Sequence, residues 1–419
     1  MTSTTAVHKQ QAPGLARPTV ASHARDYLRR VRGGDLGALP AVLGLVVLCV
    51  VFSIVRPAFF TAANFANLFN QGAAVAVIAM GLIFVLLLGE IDLSAGFTSG
   101  VCAAILANVA TVLGFPWYVA ILAAIVTGMV IGLTLGVLVA KIGIPSFVVT
   151  LAGFLAFQGV VLLLMKEGTN ITIRDEALVG IQNSKIPPTL GWLMAAAAVA
   201  GYAAVALLRH RRRTARGLVT EPLAVVLIRI GGLALVLGLA VGILNQERSF
   251  NTLIISNKGM PVVVPIIGVL LVLWTFVLNR TAYGRHIYAV GGNKEAARRA
   301  GINVDRIRIS AFVICSAMAA VGGIIAASRD RSVDPNTGGS NVLLYAVGAA
   351  VIGGTSLFGG KGRVLDAVLG GAVVAVIVNG MGLMGYSSGV KYVLTGLVLL
   401  LAAGVDALSR RRAGATGNR

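Results

Sequence analysis

Long apolar runs alternate with short polar breaks along almost the whole chain. They lie at about 38–55, 72–89, 95–114, 117–140, 146–165, 190–208, 223–244, 261–278, 309–327, 342–358, 364–384 and 391–408. Most approach the ~20 residues that a helix needs to cross a bilayer. None shows the polar–apolar alternation of a barrel strand. The pattern predicts an all-α polytopic membrane protein with about twelve transmembrane helices filling a single domain, 38–408. Residues 1–37 are polar and basic without a hydrophobic stretch, which reads as a disordered cytoplasmic tail ahead of an uncleaved first span. Residues 409–419 read as a second basic tail.

Charge then orients the spans. The chain carries a formal net charge of +20, and its basic residues gather at the ends of runs: Arg25 to Arg32, Arg209 to Arg216, Arg280 to Arg308, and Arg410 to Arg412. Lys and Arg concentrate on the cytoplasmic side of membrane proteins. Alternation from a cytoplasmic N-terminus puts all four clusters on that side, so both termini are expected there. The loops 166–189, 245–260 and 328–341 fall on the other side. Clustering at span ends explains the charge without a nucleic-acid partner.

The stretch from Tyr283 to Ser310, YGRHIYAVGGNKEAARRAGINVDRIRIS, is the longest polar segment between two spans on the basic side. Gly291 and Gly292 interrupt the chain there, and Asn293 is placed to cap a short helix. Glu295 stands in its first turn, Ala296 and Ala297 in its middle, Arg298 and Arg299 in its last, and Gly301 offers a left-handed stop. About two turns of polar helix do not hold alone in water. The segment is either a basic loop with a nascent helix or an element that docks on a partner.

Few polar residues lie inside the runs. Glu90 and Asp92 stand in GEIDLSAG, with uncharged residues from Pro57 to Gly89 and from Leu93 to Ala140. Carboxylates at membrane depth mark a pathway, a relay or a paired site, whereas the glycine-rich flanks allow Asp92 and Ser94 to cap the next span instead. No Arg or Lys partner stands close along the chain. Gln71, Thr150, Gln158 and Asn379 are further candidates for a polar translocation path, each also able to serve as interhelical glue. Gly128, Gly132 and Gly136 form two overlapping GxxxG spacings, which suit a dimer face or, more simply, packing within the bundle. GEIDLSAG and GGTSLFGG (353–360) form a faint internal echo.

The three cysteines and four histidines are scattered, and neither HExxH nor zinc-like spacing occurs. The stretch ending Gly359-Gly360-Lys361-Gly362 lacks the glycine spacing and the hydroxyl residue of a phosphate-binding loop. No nucleophile–base pair is apparent, so enzyme chemistry finds no support. Any nucleotide-driven work is expected from another chain.

Several of these stretches together resemble the permeases of ABC sugar importers of the ribose and xylose type. They are the 283–301 segment, GEIDLSAG (89–96), IPSFVVTLAGFLAFQG (144–159) and VIGGTSLFGGKGRVLDAVLGG (351–371). The resemblance runs from about 60 to 408, and the pair of runs at 190–244 is similar to the longer, xylose-type members. It implies a permease subunit without a cofactor of its own, paired as a homodimer with cytosolic ATPases that hold ATP and Mg. It further implies an extracytoplasmic binding protein that delivers xylose or a related aldose. In that scheme the helix around Glu295, Ala296 and Ala297 enters a groove of the ATPase, with Gly301 at its end. The alternatives are an ion-driven secondary transporter that uses Glu90 and Asp92, or an ABC permease for a nucleoside or another small polar solute.

Overall fold

In the computed structural model, residues 25, 37–165, 169–218, 220–249 and 256–415 are described. Apart from Arg25 and Gly37, the tail expected over 1–37 lies outside them, as do 416–419 of the C-terminal tail. The described chain is built of α1 (Leu39–Val55), α2 (Ala62–Leu87), α3 (Ala95–Ala107), α4 (Trp117–Val137), α5 (Ser146–Met165), α6 (Glu176–Asn183), α7 (Pro188–Ala215) and α8 (Leu223–Leu244). There follow α9 (Val263–Arg280), α10 (Ala282–Gly292), α11 (Lys294–Arg299), α12 (Val304–Asp330), α13 (Ser340–Ile352), α14 (Val364–Leu383) and α15 (Ser388–Ala415). Among the described residues, nine helices are long and apolar enough to cross a membrane, and three shorter apolar ones (within α1, α13 and α15) complete the twelve runs in order.

Several boundaries differ from the apolar runs, two of them for clear local reasons. α2 starts ten residues before its run, because the Thr61 side chain caps it by accepting from the Asn64 amide at 3.2 Å. α13 stops at Ile352 instead of 358, giving way to the glycine-rich turns of 353–363. α15 also continues past 408 to Ala415.

α2 forms the axis of the bundle and is buried over most of its length, and α12 packs along α2, α3 and α4. Glycines bring these helices together. A Cβ on Gly128 would stand 2.6 Å from the Ser316 carbonyl oxygen, and one on Gly136 2.9 Å from the Ile309 Cα. The overlapping GxxxG spacings therefore serve packing of α4 on α12 within the chain. α7 and α8 pack on each other at the periphery, with little of either buried.

Successive long helices run back and forth between two ends. At one end the described residues of the loops 166–189, 245–260 and 328–341 come together. The strands β1 (Ile171–Thr172) and β4 (Ser332–Val333) pair antiparallel, as do β2 (Lys185–Ile186) and β3 (Met260–Pro261). These are the three loops that alternation places together. The other end carries most of the basic loops and is called the basic end below.

Candidate functional site

At the basic end α10, α11 and the start of α12 fold over the bundle. The Thr281 side chain caps α10, which buries Ile287 and Val290. Tyr288 fastens it by donating to the Gly362 carbonyl at 2.8 Å. Gly291 and Gly292 do not break the chain where their sequence suggests, since both belong to the last turn of α10. Gly291 serves close approach instead. A Cβ there would collide with the Leu87 carbonyl oxygen, and the Gly360 amide donates to that same oxygen at 2.8 Å.

The turn is made one residue later. Asn293 is extended (φ −157°, ψ 107°), and its Oδ1 accepts from the Ala296 amide at 2.9 Å, capping α11. The helix closes as a Schellman motif. Gly301 sits at φ +81°, its amide donates to Arg298, and the Ile302 amide donates to Ala297. Asn303 then caps α12 through the Arg306 amide at 3.0 Å. Asn293, Glu295, Ala296 and Arg299 are exposed, while Ala297 is buried against the bundle. Glu295 engages Arg298 at 2.9 Å, an exposed pair of little energetic weight.

Glu90 has cationic partners after all. Its Oε1 accepts from the Lys294 Nζ at 2.8 Å and from the Arg308 Nε and an Nη at 3.0 and 2.8 Å. The side chain is 6% exposed, against 17% for Arg308 and 45% for Lys294. The absence of a basic partner inferred from the local sequence fails because the partners lie 204 and 218 residues further on. Burial pushes the Glu90 carboxyl up, but hydrogen bonds with Lys294 and Ser146 and the charges of Arg308 and Lys294 outweigh it. The net result lies below the usual carboxylate range. Glu90 thus ties the 88–94 loop to the first residue of α11 and to the first turns of α12.

The other polar candidates separate. Asp92 is fully buried and accepts from the Ser94 amide at 2.9 Å and the Ser94 hydroxyl at 2.6 Å, holding the turn into α3. Thr150 donates to the Ser146 and Ile91 carbonyls, fastening α5 to the same loop. Gln158 is exposed on the outer side of α5. Gln71 and Asn379 come together, the Asn379 Nδ2 donating to the Gln71 Oε1 at 3.2 Å. The two echoing stretches also meet, since a Cβ on Gly89 would touch the Phe358 carbonyl at 3.3 Å. Sequence reasoning missed Lys294, Arg308, Tyr288 and Ser146. Only the charge of the first two within an apolar chain hinted at a buried partner.

The family model described as "Branched-chain amino acid transport system / permease component" matches residues 64–403. The xylose transport system permease protein XylH of Escherichia coli K12 is 36% identical over 356 residues, covering 85% of this chain and 87% of that protein. XylH of Haemophilus influenzae is 32% identical over 91% of this chain and 99% of its own length. The ribose import permease protein RbsC of E. coli K12 is 29% identical over 87% of this chain and 92% of its own. No solved structure matches the chain. With the matched region running from α2 into α15, the chain belongs to this family of transport-system permease components, as a multi-pass protein of the inner membrane.

Proposed function

We propose that this chain is the membrane subunit of an ATP-driven importer for a monosaccharide, xylose or a related aldose. The observation that carries the coupling half of this reading is α11, a short exposed helix, capped at both ends and tied through Lys294 to a buried carboxylate. The sugar rests on similarity to the xylose and ribose permeases. The basic end faces the cytoplasm, where positive residues concentrate, and with it both termini.

A cytosolic ATPase receives the exposed face of α11, Asn293, Glu295, Ala296 and Arg299. ATP and Mg stay in that partner. When two ATPases close, α11 is displaced, and the Lys294–Glu90–Arg308 cluster carries the displacement to the 88–94 loop between α2 and α3. Such a push shifts the equilibrium only if the ATPase contacts α11 differently in its open and closed states. A second copy of the chain completes the permease. The Gln158 amide, exposed midway along α5, suits such a protein–protein face better than lipid. A binding protein delivers sugar to the opposite end, where β1 pairs with β4 and β2 with β3.

An ion-driven reading would need Glu90 to hold a proton or cation. With Lys294 and Arg308 already on its carboxylate, that role has little room. The test is co-expression of the chain with a sugar-importer ATPase, comparing the native chain with Glu295→Arg and with a deletion of 293–300. ATPase association and uptake of labelled xylose are expected to fall at least tenfold in the deletion and severalfold in Glu295→Arg. Unchanged association and uptake in both variants would sink the coupling assignment. A growth screen across aldoses, nucleosides and branched-chain amino acids with the cognate binding protein identifies the solute.

A further inference from the structure

We propose that the space enclosed by α2, α3, α12, α13 and α14 is a chamber on the translocation path that holds one neutral monosaccharide. The proposal rests on the transport function above and adds the place where the sugar sits within this chain.

The first ground is architectural. α13 has 13 residues, about 20 Å of helix at 1.5 Å per residue, too short for ~30 Å of hydrocarbon. The missing length is supplied by the turn 334–339, which enters the bundle. A Cβ on Gly96 would lie 2.8 Å from the Gly338 carbonyl oxygen, and one on Gly100 would collide with that of Thr337. Gly96 and Gly100 belong to the first half of α3, and the next residue back from Gly100, Ser99, abuts Gly323 within α12. The turn therefore reaches well below the helix ends. It satisfies part of its own backbone, the Thr337 amide donating to Asp334 and the Gly339 amide to Asn336. Irregular backbone at membrane depth persists where it is buried in protein or lines a cavity, and broken helices near the midplane are where transporters place their solute.

The second ground is the cavity itself, which measures about 250 Å³ and is walled by Gln71, Ser99, Arg329, Gly338, Tyr345 and apolar residues such as Val378. A volume of about 250 Å³ leaves room for one sugar ring with its hydroxyls. A larger space of about 460 Å³ lies among Arg209, Arg212, Arg213 and Arg216 at the tip of α7. Its exposed cations and peripheral place do not suit a neutral solute in transit.

The third ground is chemistry. Asn379 is 6% exposed and donates to the Gln71 Oε1. This orients the Gln71 amide and leaves its NH₂ group to donate to a hydroxyl. The Asn379 Oδ1 itself has no protein partner among the described residues. Tyr345 adds an aromatic surface with a polar tip. Arg329 is already engaged by Asp330 at 2.8 and 3.0 Å, so the wall bears little uncompensated charge. An amide, a hydroxyl, an aromatic ring and small apolar residues match a neutral sugar ring rather than an ion.

The test uses the complete complex of this chain with its ATPase and binding protein in membrane vesicles. Gln71→Leu and Val378→Phe are expected to lower D-xylose uptake more than tenfold while leaving membrane level and binding-protein-stimulated ATP hydrolysis within about twofold. Independently of turnover, Val378→Cys should react with a small maleimide several-fold more slowly when excess D-xylose is present, and equally fast with excess mannitol. Native uptake in Gln71→Leu and Val378→Phe, or alkylation unaffected by xylose, ribose and arabinose alike, overturns the chamber. A native complex that takes up no aldose overturns the transport reading itself, whichever way the variants behave.

Discussion

Glu90 is the residue on which the basic end turns. Removing one partner from a buried ion pair leaves an uncompensated charge and costs about 3–5 kcal/mol. Here the cost should fall near the lower figure, because Lys294 is half exposed and partly screened. Glu90→Gln is expected to lower the thermal midpoint of the detergent-solubilised protein and to reduce sugar uptake per ATP hydrolysed. The charge-exchanged pair Glu90→Arg with Arg308→Glu should recover part of both. The pH dependence follows from the depressed carboxyl. Stability contributed by such a group is fully present above its unfolded pKa of about 4.3 and is lost as pH falls through the lower folded value. The stability gap between the native protein and Glu90→Gln should therefore stay constant from neutral pH down to about 5 and close below about 4. A gap that opens or closes near neutrality would point to a different protonation state of Glu90.

At the scale of the element, α11 is six residues held by its caps rather than by its own hydrogen bonds. Asn293→Ala removes the N-cap acceptor, at about 1 kcal/mol, and Gly301→Ala places a Cβ in the left-handed region for a further ~1 kcal/mol. The double variant should keep its bundle but show faster amide hydrogen exchange, confined to about 294–302, and weaker ATPase association. This element was legible in the sequence because each signal is local. Asn293, Glu295, Arg298 and Gly301 act within about two turns of one another, and all four stand in the structure where their positions suggest. The glycines before them were misread for an instructive reason. A glycine pair signals either a break or a close approach, and only the carbonyl of Leu87, far away in sequence, selects the second.

For the whole molecule, the peripheral pair α7 and α8 makes a direct test of the architecture. β2 precedes α7 and β3 follows α8, and Ile186 pairs with Met260. The chain thus leaves and re-enters the bundle at neighbouring points. Excising 188–258 and joining the strands through a short glycine-containing turn removes two spans, which preserves the side on which every other loop emerges. The shortened chain should still insert, keep 294–300 on its original side by cysteine labelling, and lose at most a few degrees in thermal midpoint. Reversal of that side, or failure to accumulate in the membrane, would mean that α7 and α8 are integral to the bundle.

Hydrophobic periodicity and charge asymmetry act over one helix length or one loop at a time, so the sequence by itself determined the twelve runs, their order and the short capped helix. The relation of runs to one another is a matter of contacts between residues hundreds of positions apart. Tertiary structure alone decided that Gly128, Gly132 and Gly136 press on α12, and that Glu90 reaches across to Lys294 and Arg308. It also decided which polar residues share a space. Gln71 and Asn379 meet beside a cavity, Thr150 fastens a loop, and Gln158 points away from the bundle. In a chain this apolar, any single polar residue satisfies the same local pattern. Burial and partner distance distinguish a path from glue, and both exist only once the helices have packed.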